Sequence, residues 1–330
     1  MPLLDASHDL AHPVEDDTAW SESYYFNGYD PAVDAGLFTR IGVRPNEGTM
    51  DVGLTVWLPG GRVAMVRGVR DQRVMVDDDL AVAGVRYERL VPMRSWRLTV
   101  DAGAEVMNLA TRVVQSAPLV LDVTFESLMP AVGVDGQPRA GRSGEVAVAT
   151  AGVTGKGHFE QAGRWSGSIR CGDERVTLDP STARGNRDKS WGPRRWGGPK
   201  MWRWFSINID DRTHFGGIRL GTAEGDLHRG WVWTDGEASS IRSWEISSEL
   251  ADDRVTHRAV RVRATDKRNR VHELRGEVLR VHGIPTGAGA RVTLVNEGLT
   301  RWTYGGRTGY GISEYLHQLD DGGRPLVPIE

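Results

Sequence analysis

The stretch MWRWFSINID, residues 201 to 210, decides the fold class of this chain. Every second side chain of an extended segment points to the same face. Trp202 and Trp204 therefore share one face, and Phe205 lies on the other. Because the stretch combines this period of two with aromatic and β-branched residues, it predicts a β-strand.

Runs of the same kind recur along the 330 residues. They are rich in Val, Thr, Leu and Trp, and turn signals such as PGG and VDGQP separate them. Helical periodicity over ten or more residues is nearly absent. About 15 to 18 strands are too many for one small barrel. Two closed or nearly closed antiparallel barrels in tandem would remove most sheet edges, so we predict an all-β fold of that kind.

One segment of the sequence has the composition of a linker between two domains. TAGVTGKG, residues 150 to 157, is small, polar and rich in glycine. The strands directly after it could still complete the first barrel, which leaves the boundary between about residues 150 and 185. We place the N-terminal barrel at residues 1–165 and the C-terminal barrel, with the RDKSWG and WRWFS motifs, at residues 166–330.

Composition excludes several classes of protein. The chain has 41 basic and 44 acidic residues, which argues against a partner that is a nucleic acid. Cys171 is the only cysteine, so an internal disulfide or a thiolate-rich metal site is excluded. The N-terminus lacks the pattern of a secretory signal, and no apolar run is long enough for a membrane span. We expect a cytoplasmic protein without stable membrane insertion, and a homodimer stays open.

Tryptophans dominate two of the predicted strands. In HRGWVWTDG, residues 228 to 236, Trp231 and Trp233 share one face, as Trp202 and Trp204 do in the earlier strand. Indoles on neighbouring strands could form an apolar box whose ring faces stabilise a cation and whose N–H groups hold an oxygen atom. The alternative is that these rings only fill the interior of a barrel.

A basic segment contains one acid whose role stays open. In GNRDKSWGPRRW, residues 185 to 196, an extended conformation places Asn186, Asp188 and Ser190 on one face and Arg187 and Lys189 on the other. A carboxyl group in an apolar pocket has a raised pKa and can act as a general acid, whereas one paired with arginine remains a structural anion. Spacing alone does not choose between these roles.

Histidine provides a second candidate for proton transfer. In GHFEQAG, His158 and Glu160 share a strand face, with Gln161 opposite. The histidines form no HExxH or other compact ligand spacing, so we expect no metal site. There is no P-loop, no GxSxG elbow and no GxGxxG that opens a helix, so we expect no cofactor.

These motifs carry a resemblance that covers nearly the whole chain. HFEQAGRWSG, GNRDKSWGPRRW, MWRWFSINID and the late GYGISEYL resemble the two-domain lipocalin-like superfamily of AttH-like proteins and carotenoid 1,2-hydratases (hydroxyneurosporene synthases). More remote members are some fungal Diels–Alderases and tocopherol cyclases. The resemblance implies two lipocalin-like (calycin-type) antiparallel barrels packed against each other.

The resemblance also implies a chemistry. Such hydratases protonate an alkene of a polyene and let water capture the cation, and the cyclases fold an apolar substrate in a similar cavity. The chain is then a cofactor-independent enzyme, a hydro-lyase or an isomerase or cyclase, that acts on a terpenoid, steroid or polyene in an aromatic-lined cavity. The alternative is a carrier for an apolar metabolite.

The residues expected to carry this chemistry follow from the same motifs. Asp188 is at the acidic position of the family motif, but Lys189 stands where many relatives have histidine, and its usual pKa of about 10.4 makes it a weak acid at neutrality. The catalytic candidates are Asp188, His158 and Glu160. The substrate-binding candidates are Trp191, Trp196, Trp202, Trp204, Trp231, Trp233, Tyr315 and Glu314.

Overall fold

The computed structural model describes residues 4–136, 155–222, 225–286 and 292–330. Nearly all of its regular structure is antiparallel β-sheet, so the predicted all-β class is confirmed. Its described residues form two compact units, which are residues 4–136 with 155–193 and residues 194–330 without the two gaps. Among the described residues, no helix has the length and apolar character needed to cross a membrane.

The first unit is built from twelve strands and two short 3₁₀ helices. The antiparallel pairings of eight strands close into a circuit in the order β1-β2-β3-β4-β7-β8-β10-β12 and back to β1. The helices are Ala6–Asp9 and Pro45–Glu47, and the strands are β1 Trp20–Asp30, β2 Ala35–Arg44, β3 Thr49–Leu58, β4 Arg62–Asp71, β5 Ala81–Val82, β6 Val85–Val91, β7 Ser95–Asn108, β8 Val114–Ser127, β9 Val132–Asp135, β10 Gly157–Cys171, β11 Glu174–Leu178 and β12 Arg184–Pro193.

The second unit is a closed barrel of eight antiparallel strands that pair in chain order. Closure joins the first strand to the last and leaves the barrel no open edge. The strands are β13 Met201–Asp210, β14 Thr213–Gly221, β15 Asp226–Thr234, β16 Glu237–Leu250, β17 His257–Asp266, β18 Val271–Thr286, β19 Val292–Tyr304 and β20 Arg307–Leu319.

Aromatic rings fill the interior of each unit. In the first, Phe26 packs edge to face against Trp165, whose Nε1 donates to the carbonyl of Asn27 at 2.9 Å. Gly28 and Gly185 make room for this indole, since a Cβ at either position would lie within 2.6 Å of its Nε1 atom. The first glycine of the GNRDKSWG motif therefore serves core packing. In the second unit the rings of Phe205, Trp244 and Trp302 form the corresponding core.

The division between the units differs from the boundary placed at residue 165. That position falls within β10, which pairs with β8 on one edge and with β12 on the other. A strand with hydrogen-bonded neighbours on both edges belongs to one sheet along its whole length. The first unit therefore continues to Pro193, so RDKSWG lies in the first unit and only WRWFS lies in the second. The linker-like segment 150–157 lies mostly outside the described residues.

Candidate functional site

Strand β12 separates its side chains into two sets, as the sequence predicts. Arg187 and Lys189 are level with Phe26 and Tyr24 of β1, two residues of the hydrophobic core, and point inward. Asp188 lies between them along the chain and points to the outer face of the unit. The carboxylate is therefore on the opposite side of the strand from its cationic neighbours.

Arg187 is paired with a residue from the start of the chain. Its Nη1 and Nη2 donate to the two carboxylate oxygens of Asp9 at 2.7 and 3.1 Å, and its Nε donates to Gln161 at 2.8 Å. Burial alone would raise the pKa of Asp9, but the guanidinium overcomes this effect and holds the pKa below its usual value. Asp9 is the last residue of the first 3₁₀ helix, so this ion pair fixes the N-terminal segment to the barrel.

Lys189 is held in a similar way. Its ammonium group contacts Glu22 at 2.7 Å and donates to the backbone carbonyls of His8 at 3.0 Å and Leu10 at 2.5 Å. These three contacts use all three of its donors. Burial lowers the pKa of Lys189, although Glu22 opposes the shift. Lys189 thus anchors the N-terminal segment on the inner face and does not replace a catalytic histidine on the outer one.

Acid should weaken this inner network. Although burial acts to raise the pKa of Glu22, hydrogen bonding from His12 and the charge of Lys189 hold it below its usual value. A carboxyl group with a lowered pKa in the folded state stabilises the fold above its unfolded pKa, about 4.3, and loses that contribution as pH falls through its folded pKa. We expect the urea midpoint to decrease below about pH 4, less steeply in Glu22→Gln. An equal slope in both proteins would contradict this assignment.

The outer face brings together the three predicted catalytic residues. Glu160 of β10 lies directly opposite Asp188 of β12, and His158 is two residues before Glu160 on the same face. His158 Nε2 is hydrogen-bonded to Asp188 Oδ2 and lies 3.6 Å from Glu160 Oε1. The exposed fractions of the three side chains are 38% for His158, 2% for Glu160 and 16% for Asp188. Only the imidazole is therefore well exposed to solvent.

This geometry decides which residue contacts Asp188. The alternative from sequence was neutralisation by the adjacent cations, but Arg187 and Lys189 are engaged on the inner face. The partner of Asp188 is His158 instead. A carboxylate bonded to one ring nitrogen of histidine orients the imidazole and stabilises its protonated form. The cluster has the arrangement of an acid–base pair with a second carboxylate beside it.

The same three side chains could also hold a metal ion. One ligand atom from each of His158, Glu160 and Asp188 lies within 4.8 Å of the others. Imidazole and carboxylate ligands suit several divalent cations. Sequence spacing did not indicate this set, because the third ligand comes from the neighbouring strand. The expectation of no metal therefore remains to be tested by experiment.

Two further residues of this face were missed by the sequence analysis. Tyr25 of β1 is level with Asp188 and points to the same face. Asn186 is 2% exposed, and among the described residues neither its Oδ1 nor its Nδ2 has a hydrogen-bond partner. Because buried amides are normally hydrogen-bonded, we expect a polar group from outside the described residues to form hydrogen bonds with this one. Strand alternation in GNRDKS already placed Asn186 on the face of Asp188, whereas only the pairing register of β1 with β12 places Tyr25 there.

The tryptophans of β13 lie on the face of the strand that points away from the interior of the second barrel. Trp202 and Trp204 do share a face, but Arg203 and Phe205 point to the interior, where Phe205 is part of the core. The two indoles therefore lie on the outer face, and Trp202 Nε1 donates to Glu314 there. These indoles do not fill the barrel interior, and their role in substrate binding stays a prediction. The fully hydrophobic residues Phe205 and Ile207 fill the interior instead.

The tryptophans of β15 follow the same pattern. Val232 is part of the core of the second unit, so Trp231 and Trp233 on either side of it point outward. Trp196 packs 5.9 Å from the ring of Trp202. The predicted aromatic group of the second unit thus lies on the face of the strands that points away from the barrel interior, although Trp202, Trp204 and Trp231 are buried there.

The remaining predicted residues are separated from one another. Trp191 lies on the inner face of β12, stacked on His12 with ring centroids 3.8 Å apart. Tyr315 is inside the second barrel, where burial raises its pKa to about 12, whereas Glu314 is on the outer face. Neither Trp191 nor Tyr315 shares a face with the predicted aromatic or acidic groups.

The fold and the acid–base cluster define a protein of two antiparallel β units with a polar site on the outer face of the first. Residues 5–319 match a family described as a domain of unknown function, DUF7064, and the chain belongs to that family. No curated protein sequence matches the chain.

Solved structures share this fold over nearly the whole chain. A protein assigned as AttH from Nitrosomonas europaea has a TM-score of 0.67 at 13% identity, covering 96% of this chain and 97% of that one. CghA has a TM-score of 0.59 at 14% identity, covering 93% of this chain and 90% of that one. Kievitone hydratase from Nectria haematococca has a TM-score of 0.55 at 12% identity, covering 89% of this chain and 88% of that one. These structures confirm the predicted all-β fold, and at such identities they show the fold alone.

Proposed function

We propose that this protein is a cofactor-independent enzyme that transfers protons to and from an apolar substrate. The reaction class is hydration, dehydration or the related isomerisation or cyclisation of an alkene or tertiary alcohol. The observation that carries the proposal is the hydrogen-bonded pair of His158 and Asp188 with Glu160 beside it. The substrate class, a terpenoid, steroid or polyene, rests on the resemblance of the sequence motifs.

The cluster can perform such a reaction in two steps. The protonated His158–Asp188 pair gives a proton to one alkene carbon, and the neighbouring carbon becomes a cation. Water then forms a C–O bond at that cation and returns one proton to the pair, so that the sum is the addition of one water molecule. Dehydration is the reverse, and loss of a different proton gives an isomer. Glu160 favours the protonated imidazole and the cation by its charge.

Two further observations support this proposal. The buried amide of Asn186, unpartnered among the described residues, stands on the face of Asp188 and can hold the oxygen of an alcohol or of the attacking water. One structure with the same fold is named a hydratase, which agrees with the reaction class although the likeness itself extends only to the fold.

The proposal is tested by isotope labelling. The purified protein is incubated with a mixture of terpenoids, steroids and polyenes, and separately with kievitone, in water enriched in oxygen-18, and products are identified by mass spectrometry. Enzyme-dependent incorporation of the label, loss of water, or a new unlabelled isomer supports proton-transfer chemistry. Absence of conversion, together with retention of one compound on the protein, overturns the proposal in favour of the carrier.

A chelator distinguishes the two chemical uses of the cluster. We expect the activity found by labelling to be unchanged after treatment with EDTA, because side chains alone move the proton in the proposed reaction. The measurement is the initial rate before and after chelation, with the metal content of the protein determined in parallel. Loss of activity that a divalent cation restores would replace the acid–base assignment by a metal site at His158, Glu160 and Asp188.

A further inference from the structure

The interior of the second barrel has a polar end. Arg203 of β13, His257 of β17 and both Tyr315 and His317 of β20 are each at most 1% exposed. The Tyr315 ring lies between two of these groups, with the Arg203 guanidinium carbon 4.4 Å and the His257 ring 4.0 Å from its centroid. The His317 ring is 6.1 Å away. Four polar side chains from three strands therefore form one cluster.

Arg203 uses only one of its nitrogen atoms in hydrogen bonds. Nη1 donates to the backbone carbonyls of Trp202 at 2.8 Å and Leu316 at 3.3 Å. Among the described residues, no group accepts a hydrogen bond from Nε or Nη2. The N–H bonds of Nε and Nη2 run parallel along one edge of the guanidinium, and this edge binds a carboxylate through two hydrogen bonds.

The two histidines add further unpaired nitrogens. Neither ring nitrogen of His317 has a partner among the residues that the structure describes, and the same holds for Nδ1 of His257. The other nitrogen of His257 is 2.9 Å from both the carbonyl and the hydroxyl oxygen of Ser313. Burial lowers the pKa of His257 and of His317 to about 3, so both rings are neutral near pH 7. Each neutral ring has one N–H donor, and His257 uses its own, on Nε2, for the Ser313 carbonyl, so only His317 has a donor to offer a ligand.

Buried polar groups in folded proteins nearly always have partners, and each exception requires an explanation. Here several unpaired nitrogens surround one tyrosine ring, and the only permanent charge among them is the positive charge of Arg203. A cation is therefore disfavoured, and a group that accepts several hydrogen bonds is favoured. The Tyr315 hydroxyl does not meet this need, because it is hydrogen-bonded to Ser248 at 2.7 Å.

We propose that the polar end of the second barrel binds the carboxylate group of a small organic acid. The carboxylate accepts two parallel hydrogen bonds from Nε and Nη2 of Arg203 and a third from the neutral ring of His317. This site lies within the second unit, so it does not depend on the proton-transfer proposal for the first. This site also differs from a cavity for an apolar ligand, because Arg203 and His317 would recognise one charged group of the ligand.

Glu330 is the nearest carboxylate and marks one side of the site. Its Oε2 is 3.7 Å from Arg203 Nη2, too far for a hydrogen bond, and its Oε1 accepts from Arg219 at 2.5 Å. Arg219 is also paired with Asp226 at 2.7 Å. Glu330 therefore forms an ion pair with Arg203 but no hydrogen bond to its edge, and its negative charge repels a second carboxylate. Since its side chain is 27% exposed, this side of the barrel is the one nearest to solvent.

The test is calorimetric titration of the full chain with propionate and benzoate, with propionamide and benzamide as uncharged controls. We expect saturable binding of one or both carboxylates and at least about tenfold weaker binding of the matching amide. His317→Phe should weaken carboxylate binding at least about tenfold, because the new ring has no donor. Glu330→Gln should bind about fivefold more tightly, because it removes a negative charge near the site.

His272→Phe is the matched control. This histidine also points into the second barrel, but it packs against Phe215, is bonded to the Tyr304 hydroxyl at 2.9 Å and lies 3.6 Å from the Asp266 carboxylate, away from Arg203. We expect carboxylate affinity to be unchanged in this variant. The proposal is overturned if the wild-type protein shows no saturable binding, if the amides bind as well as the acids, or if His317→Phe and His272→Phe have equal effects.

Discussion

Replacing Asp188 with asparagine should lower the rate of the reaction found by labelling by about 10² to 10⁴-fold. Asparagine has nearly the same size and can still hydrogen-bond to His158, but it cannot hold the proton or stabilise the imidazolium. The midpoint of thermal unfolding should change little, because the ion pairs that anchor β12 are on its other face. The measurement is the turnover of the identified substrate by wild-type and variant protein across a range of pH.

Two comparisons make this result specific. Asp122→Asn serves as the control, because Asp122 belongs to the same unit and is paired with Arg97 at the surface. It should leave turnover unchanged. If the pair shares the proton, Asp188→Asn also changes the pH dependence of the remaining activity, which a purely structural role would not do. Full activity in Asp188→Asn would remove this residue from the acid role, and His158→Gln would then test whether the histidine acts alone.

Replacing Arg187 with methionine should destabilise the first unit by about 3 to 5 kcal/mol. Arg187 is 2% exposed and Asp9 is fully buried, so removal of the guanidinium leaves a charged carboxylate inside the protein with the Met93 N–H as a donor but without its paired cation. The same substitution frees the N-terminal segment that this ion pair anchors. The measurement is the free energy of unfolding from urea denaturation, followed by a signal from the tryptophans of the first unit.

A double variant and a surface control separate the charge effect from the loss of packing. Arg187→Met combined with Asp9→Leu should recover part of the loss, because two apolar side chains replace a buried pair without leaving a charge unpaired. Arg97→Met removes one partner of an exposed pair and should have a much smaller effect. Equal losses in Arg187→Met and Arg97→Met would show that the buried pair contributes no more than a surface one.

Strand periodicity predicted the two sets of side chains on β12 and β13, because a side-chain period of two is a local property of an extended chain. It did not predict which face of β13 points inward. One face has Trp202 and Trp204, and the other has Arg203, Phe205 and Ile207. The structure places the second face, with the buried side chain of Arg203, in the interior. Only closure of the barrel decides the direction.

Contacts between distant segments could not be predicted from the sequence, for a related reason. The pairing of Glu160 with Asp188 depends on the register between two strands, and register is set by the whole sheet. The contact of Asp9 with Arg187 joins the start of the chain to the last strand of the first unit. No local pattern marks either contact, so the role of Lys189 as an anchor could be recognised only from the structure.

The two-sided use of β12 has a consequence for how the protein can be altered. An insertion or deletion of one residue in this strand would turn the buried cations outward and Asp188 inward, so the strand does not tolerate a change of length. Positions 186, 188 and 190 lie on the opposite face from the anchoring ion pairs, so they can be varied without removing those pairs. A library restricted to these three positions would therefore search for new reactivity in a scaffold whose stability is set elsewhere.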